Sequence, residues 1–297
     1  MRAAAIFGPG ASAKDLKPFK RNSEINWLVR LPDSSSEADA ILILGGDGTV
    51  HRHLPQLVRL KLPVLVVPCG SGNDFANALN LRSPRVSQAA WRKFCSTAGN
   101  VRTIDLGVIA PLIPDGPRAA DPPEPRYFCC VGGVGLDTQI ARRANLLPRC
   151  LRARGGYALS LLPALWRFEP VPMSISLPSV ENPDVLVAGN TRSTIVMAFA
   201  NASSYGGGMK IAPQAQLDDG RLDVCVISHM NKLKLFCLFP TIYFGRHLSI
   251  PQVEYFQTER LKLETDKPQD VYADGEYVCR TPIEVRIARA ALQVIVP

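Results

Sequence analysis

The sequence predicts an α/β domain built on a parallel sheet, followed by a β-rich sandwich domain. Three observations carry that expectation. In the first third, short aliphatic runs closed by Gly or Pro alternate with helical stretches. Beyond residue 104, strand-like segments follow one another with turn residues between them. The 297 residues are 46 % hydrophobic and 20 % charged, which suits two cores without metal or disulfide support.

AAAIF (3–7), ADAILIL (38–44) and LPVLVV (62–67) read as buried parallel strands, since each is short, apolar and closed by a turn residue. Helices are expected over 49–60 and 74–81, and this strand–loop–helix order implies right-handed crossovers. A boundary near Leu106 gives domains 1–106 and 107–282. After it, IDLGVI, YFCCVGG, VPMSISL, TIVMAFANA, RLDVCVI, RLKLET, DVYADGEY, IEVRIA and LQVIV read as short strands. Two helical stretches interrupt them: LDTQIARRAN running on into RGGYALSLLPALW, and KLKLFCLFPTIYFG. The proline-dense segment 111–126 reads as an exposed loop or hairpin insertion.

Composition narrows the classes. None of the eight cysteines forms a CxxC pair and several lie in apolar runs. Buried reduced thiols in a cytosolic protein are therefore expected, not zinc or a secreted disulfide framework. MRAAAIFGPG meets Gly8-Pro9 too early for a signal peptide, and no apolar run reaches the roughly 20 residues of a membrane span. The expected location is cytoplasmic, or peripheral at the inner membrane face. A net charge of +8 suits polyanions without choosing among nucleic acid, nucleotide phosphates and lipid headgroups.

The stretch ILILGGDGT runs from a strand straight into glycine. Gly45, Gly46 and Gly48 leave backbone N–H groups uncovered at the carboxyl edge of the sheet, where open α/β sheets bind ligands. Thr49 is placed to cap the next helix, whose positive end favours phosphate. Asp47 is awkward beside phosphate unless Mg²⁺ or a basic group lies between them. LPVLVVPCGSGNDFANAL repeats the layout one strand later, with Gly70 and Gly72 around Ser71 and Asn73-Asp74 positioned as a cap. Either loop alone could be a simple turn; two in succession argue for one crevice lined from two sides. GxxxxGK[ST], GxGxxG opening a helix, GxSxG and HExxH are absent, which speaks against a dehydrogenase or a serine hydrolase.

With these segments the chain resembles the diacylglycerol kinase catalytic-domain family, which includes sphingosine, ceramide and bacterial lipid kinases and has an NAD kinase-like fold. GGDGT (45–49) and PCGSGNDFANAL (68–79) carry the resemblance in the first half. GGVGLDTQI (132–140), NASSYGGGMKIAPQAQLDDGRLDVCVI (201–227) and ADGEYV (273–278) carry it in the second, in the family's order. The resemblance implies ATP at the glycine loops and a last strand within 283–297 that returns to the first domain. It implies ATP- and Mg²⁺-dependent transfer of the γ-phosphate to a lipid hydroxyl, with diacylglycerol the first choice. A sphingoid, ceramide or other lipid alcohol is the alternative acceptor, and a catalytically silent nucleotide- or lipid-binding regulator the alternative function.

Carried over by residue, the resemblance implies that Gly45, Gly46, Asp47, Gly48, Thr49, Val50 and His51 line the ATP phosphates. Gly70, Ser71, Gly72 and Asn73 approach the nucleotide from the second loop. Asp274 matches the family's proton acceptor, and Glu276 would share its face if that segment stayed extended. Gln216, Asp219 and Arg221 match the loop of a structural Mg²⁺, Gln216 and Arg221 through backbone carbonyls, with a solvated acidic turn as the other reading. The chain departs from the pattern at Gly8, where the family has Asn, and at Arg52. Pro55 falls inside the expected helix, which either kinks or begins there.

The implied partners are ATP and a lipid at a membrane surface, with no nucleic acid and with a homodimer left open. From 138 to 168 there is no acidic residue, and Arg142, Arg143, Arg149, Arg152, Arg154 and Arg167 interleave with leucines and Trp166. Two readings fit: arginines at lipid headgroups, or a helix packed on the sandwich with its arginines in water. The arginines lack an aromatic stacking platform, which speaks against nucleic acid.

Overall fold

Strands β1 (Arg2–Phe7), β2 (Asn26–Leu28), β3 (Ala40–Gly45) and β4 (Val64–Pro68) pair in parallel in the order β4-β3-β1-β2. The computed structural model describes residues 1–20, 24–113, 124–146 and 163–297. Every residue of β3 is buried, which is why its sequence is an uninterrupted aliphatic run. The helices of this half are α1 (Ala13–Leu16), α2 (Asp47–Leu60), α3 (Asp74–Ala78) and α4 (Pro84–Thr97). Helix α2 buries Val50, Leu54, Leu57 and Leu60, an i, i+4, i+7, i+10 stripe, and closes on Lys61 in the left-handed region.

The local structure differs from expectation at three places. Helix α2 spans Asp47–Leu60 with Pro55 inside it, so the alternative in which it begins at Pro55 falls. Helix α3 stops at Ala78, short of the expected residue 81. Helix α4 was not read from the sequence, although Ser83-Pro84 is a start signal; Ser83 Oγ accepts the Val86 N–H at 3.4 Å.

The chain divides into two units, Met1–Leu106 with Arg289–Pro297, and Gly107–Ala288. It passes between them in β5 (Val101–Pro111) and returns in a long strand, Ile283–Ile295. IEVRIA and LQVIV, read as two strands, are parts of this one strand. Ala290 sits in it at φ 50°, and its N–H donates to Asp105 Oδ1 at 2.7 Å. Near its end Val294 pairs in parallel with Val64 of β4.

The second unit holds β6 (Arg126–Phe128), β7 (Val131–Gly135), α5 (Leu136–Leu146), β8 (Val171–Pro178), β9 (Leu186–Ala188) and β10 (Arg192–Ala200). It continues with β11 (Leu222–Ser228), α6 (Lys232–Tyr243), β12 (Val253–Thr258), β13 (Arg260–Thr265), β14 (Asp270–Ala273), β15 (Glu276–Arg280) and the returning strand, β16. One layer runs β15-β14-β7-β10-β11-β12 and the other β9-β8-β13-β16, and β10 belongs to both. Its first residues, 192–194, pair with β8, and Thr194 also pairs with Ser228 of β11; after an irregularity between Thr194 and Val196, residues 196–200 pair with β7 and β11. Between the layers lie Phe128, Met197, Phe199, Val224, Leu263 and Val285, all buried. The Phe128 and Phe199 rings meet edge to face at 5.6 Å.

Among the described residues no helix is long and apolar enough to cross a membrane. Cys129, Cys130, Cys225 and Cys279 are buried free thiols, whereas Cys237 is exposed and Cys69 and Cys95 are half-buried, so the expectation of burial fails at these three. Cys150 and most of the arginine–leucine stretch (147–162) lie outside the described residues.

Candidate active site

The two glycine loops leave neighbouring strands and touch. Gly45 pairs with Pro68, and the Cys69 N–H donates to the Gly45 carbonyl at 3.0 Å. A Cβ on Gly70 would lie 2.5 Å from Gly46 Cα, and one on Gly46 would lie 2.9 Å from Gly70 Cα. Backbone against backbone at this distance excludes any side chain at either position. That contact is why the sequence empties itself of side chains here.

Asp47 locks the pair. Its Oδ2 accepts the Asp74 N–H at 3.0 Å and its Oδ1 accepts the Phe75 N–H at 3.1 Å. The acid of the first loop therefore caps the helix of the second, satisfying donors that a helix start leaves without intrahelical partners. Backbone donors of α3 thus face Asp47, partners that the sequence expectation of Mg²⁺ or a basic group beside it did not include. Gly72 brings its backbone against the same carboxylate, a Cβ there lying 3.1 Å from Asp47 Oδ2.

Asn73 and Thr49 also differ from expectation. Asn73, at φ 57°, makes no side-chain cap; its Oδ1 accepts the Gly70 N–H at 2.9 Å and its Nδ2 donates to the Gly70 carbonyl at 2.8 Å. Gly46 is the N-cap of α2, and Thr49 lies in the first turn with its hydroxyl against Gly8 and Gly45. A Cβ on Gly8 would fall 2.3 Å from Thr49 Oγ1, so the departure to glycine at position 8 is required by this packing. Val50 is buried, Gly48 and His51 are half-buried, and Ser71 and Arg52 are exposed.

In the second unit Asp274 and Gly275 form the turn between β14 and β15, at φ 51° and 83°. Asp274 and Glu276 are thus separated by a turn and do not share the face of an extended segment. The Asp274 carboxylate is gripped by the backbone: Oδ2 accepts the Cys129 N–H and Oδ1 the Cys130 N–H, each at 2.8 Å. The Asp274 N–H donates to the Val131 carbonyl at 3.0 Å. Buried Asn201 supports the same segment, donating from Nδ2 to the Cys129 carbonyl at 3.1 Å and from its N–H to the Cys130 carbonyl at 2.8 Å. The sequence reading missed Asn201, although it quoted the segment beginning there.

Gln216 and Arg221 are exposed and Asp219 is half-buried. Asp219 Oδ1 accepts the Arg221 N–H at 3.0 Å, and Gln257 Nε2 lies 3.4 Å from its Oδ2 and 3.2 Å from Asp223 Oδ1. Asp223 is fully buried and accepts the Tyr255 hydroxyl at 2.5 Å; burial pushes its carboxyl above the ordinary range. Among the described residues no three His, Cys, Asp or Glu side chains converge as a metal cluster. A hard cation at Asp219 would depend on one carboxylate and on carbonyl oxygens, a donor set compatible with Mg²⁺ because each carboxylate oxygen keeps a further lone pair.

Known proteins share both halves. Residues 15–109 match the model of the diacylglycerol kinase catalytic domain, and residues 131–296 match that of the YegS C-terminal NAD kinase beta sandwich-like domain. The chain belongs to the diacylglycerol kinase family. A diacylglycerol kinase of Mycobacterium tuberculosis is 33 % identical over 259 residues, covering 87 % of this chain and 77 % of that protein. The crystal structure of a diacylglycerol kinase from Bacillus anthracis superposes with a TM-score of 0.68 at 16 % identity, covering 100 % of this chain and 97 % of that one. An NAD kinase from Archaeoglobus fulgidus in complex with ATP gives 0.54 at 14 %, covering 99 % and 93 %, and shares the fold. The protein is a lipid kinase, a phosphotransferase.

In this lipid kinase the acid of the GGVGLDTQI segment, Asp137, is buried. Asp137 accepts the Tyr205 hydroxyl at 2.7 Å beside a cavity of about 30 Å³ lined by Leu136, Ile140, Val196, Ile211, Leu238 and Ile242. Burial raises Asp137 from its ordinary value to about 6, partly opposed by the Tyr205 hydrogen bond. Burial likewise holds the Tyr205 phenol well above its usual range.

Two outcomes follow. Gly70→Ala is expected to force the loops apart, costing about 1–3 kcal/mol of stability, as read by thermal melting. For Asp137, both folded and unfolded chains hold the proton below about pH 4, and only the folded chain holds it between there and about 6. Stability is therefore lost as pH rises through that window, and Asp137→Asn should flatten this slope in melts between pH 4 and 7, with a gain on the order of 2 kcal/mol at neutral pH.

Proposed function

We propose that this lipid kinase uses ATP with Mg²⁺ and phosphorylates a lipid hydroxyl, diacylglycerol first, to give phosphatidic acid. The observation that carries the reading is the contact of the two glycine loops under the Asp47 clamp. Residues 45–48 carry three glycines at the start of a 14-residue helix, and the positive end of that helix suits the phosphates of a nucleotide. With Asp47 facing the donors of α3, its charge is offset within the protein. Ser71, exposed on the second loop, is available to hydrogen-bond the nucleotide.

Asp274 is the proposed proton acceptor. The N–H groups of Cys129 and Cys130 use one lone pair on each carboxylate oxygen and fix the plane of the group. A remaining lone pair takes the proton of the lipid hydroxyl as its oxygen bonds to the γ-phosphorus. The bond from that phosphorus to the bridging oxygen breaks, ADP leaves, and Asp274 then releases the proton to water. Mg²⁺ bound with the nucleotide would offset phosphate charge. A second, structural Mg²⁺ would be held by Asp219 and the carbonyls of Gln216 and Arg221.

Asp274→Asn is expected to lower kcat at least 100-fold with ATP affinity nearly unchanged, measured by transfer from labelled ATP to a panel of lipids. Undiminished transfer removes Asp274 from this role; preference for a sphingoid base or ceramide in the same panel replaces diacylglycerol as acceptor. For the structural ion, added Mg²⁺ should raise the melting temperature of the wild type but not of Asp219→Asn. An equal rise in both returns the loop to a solvated turn.

A further inference from the structure

Helix α6 is apolar on both sides. Its inner stripe, Leu235, Leu238 and Ile242, is buried. Leu233, Phe236 and Phe244 are exposed at 70 %, 45 % and 72 %, with Cys237 and Pro240 exposed between them. At about 100° per residue, positions 233, 236, 237, 240 and 244 fall within one sector of roughly 100°, opposite the buried stripe. Isolated exposed apolar residues need no explanation, but a continuous stripe along a helix does.

The charges on the helix and on the segments that flank it in sequence are of one sign. Lys232 and Lys234 lie on either side of it, about 100° from its centre. Arg246 follows the helix and is exposed. No acidic residue occurs anywhere in 224–253. Lys232 Nζ donates to the Trp166 carbonyl at 2.7 Å, which sets the 72 % exposed Trp166 beside the start of the helix. Flanking lysines that can reach past an apolar strip, with tryptophan and phenylalanine at its margins, match the boundary between headgroups and acyl chains. The charge complements an anionic surface.

We propose that the outer face of α6, with Trp166, docks this enzyme on an anionic lipid bilayer. The occupant follows from the proposed lipid-phosphorylating function, since the acceptor resides in a bilayer. This face is distinct from the arginine–leucine stretch considered in the sequence. Here the apolar residues point outward on a helix whose other side is anchored in the sandwich.

The test is vesicle co-sedimentation with roughly three parts phosphatidylcholine to one part phosphatidylglycerol, compared with phosphatidylcholine alone. The wild type is expected to prefer the anionic vesicles. Phe236→Ser with Phe244→Ser, and separately Lys232→Glu with Lys234→Glu, should each weaken binding at least tenfold with unchanged melting temperature. Transfer to a short-chain diacylglycerol dispersed in detergent should be unaffected. Unchanged vesicle binding in both variants overturns the proposal, as does equal affinity for neutral and anionic vesicles. If the variants instead turn a dimer into a monomer in sedimentation velocity while binding vesicles as before, the face belongs to a second copy and the proposal falls. Vesicle binding that depends on this face in a protein that phosphorylates no lipid would sink the functional reading and leave the docking face standing.

Discussion

The first unit depends on one carboxylate reaching across to its neighbour. Asp47 leaves the end of β3 and accepts two backbone N–H groups at the start of α3, while Gly46 and Gly70 press their backbones together below it. Each condition needs the other. The glycines must touch for the acid to reach, and the acid must reach for two polar loops at the edge of a sheet to hold one shape. Charge-assisted hydrogen bonds to backbone donors are stronger than neutral ones, and a carboxylate with two of them is held in both position and orientation.

Asp274 repeats the device in the other unit. There too a carboxylate accepts two adjacent or nearly adjacent backbone N–H groups from a segment far away in sequence. The outcome differs because the surroundings differ. Asp47 stitches two loops of its own sheet, whereas Asp274 stands on a hairpin turn and is half-buried. The same chemistry ties two loops together in one place and fixes the orientation of a half-buried carboxylate in the other.

The fold class was legible because burial leaves a period in the chain: β3 is aliphatic at every position and the later strands are short and punctuated. The glycine loops were legible as a pair because removing side chains serves no ordinary turn twice in succession. The partner of Asp47 was hidden, since nothing in GGDGT says which amides, 27 and 28 residues away, its oxygens will meet. Asn73 looked like a helix cap, and Asn often is one, but closing its own loop around Gly70 satisfies the same atoms. The hold on Asp274 was hidden for a further reason: its donors are main-chain groups of cysteines, which no side-chain pattern can announce. The paired runs at the C-terminus read as two strands because Arg289 and Ala290 interrupt the apolar period. A residue in the left-handed region, bonded to Asp105, lets one strand carry both.

Strand β10 has a consequence for how the second unit assembles. One strand serves as a seam for both layers, and Asn201, the residue immediately after it, braces the segment that grips Asp274. A slip of one residue along that seam could not stay local: it would turn Phe199 out of the interior, unfasten both layers at once and release the Asp274 cradle.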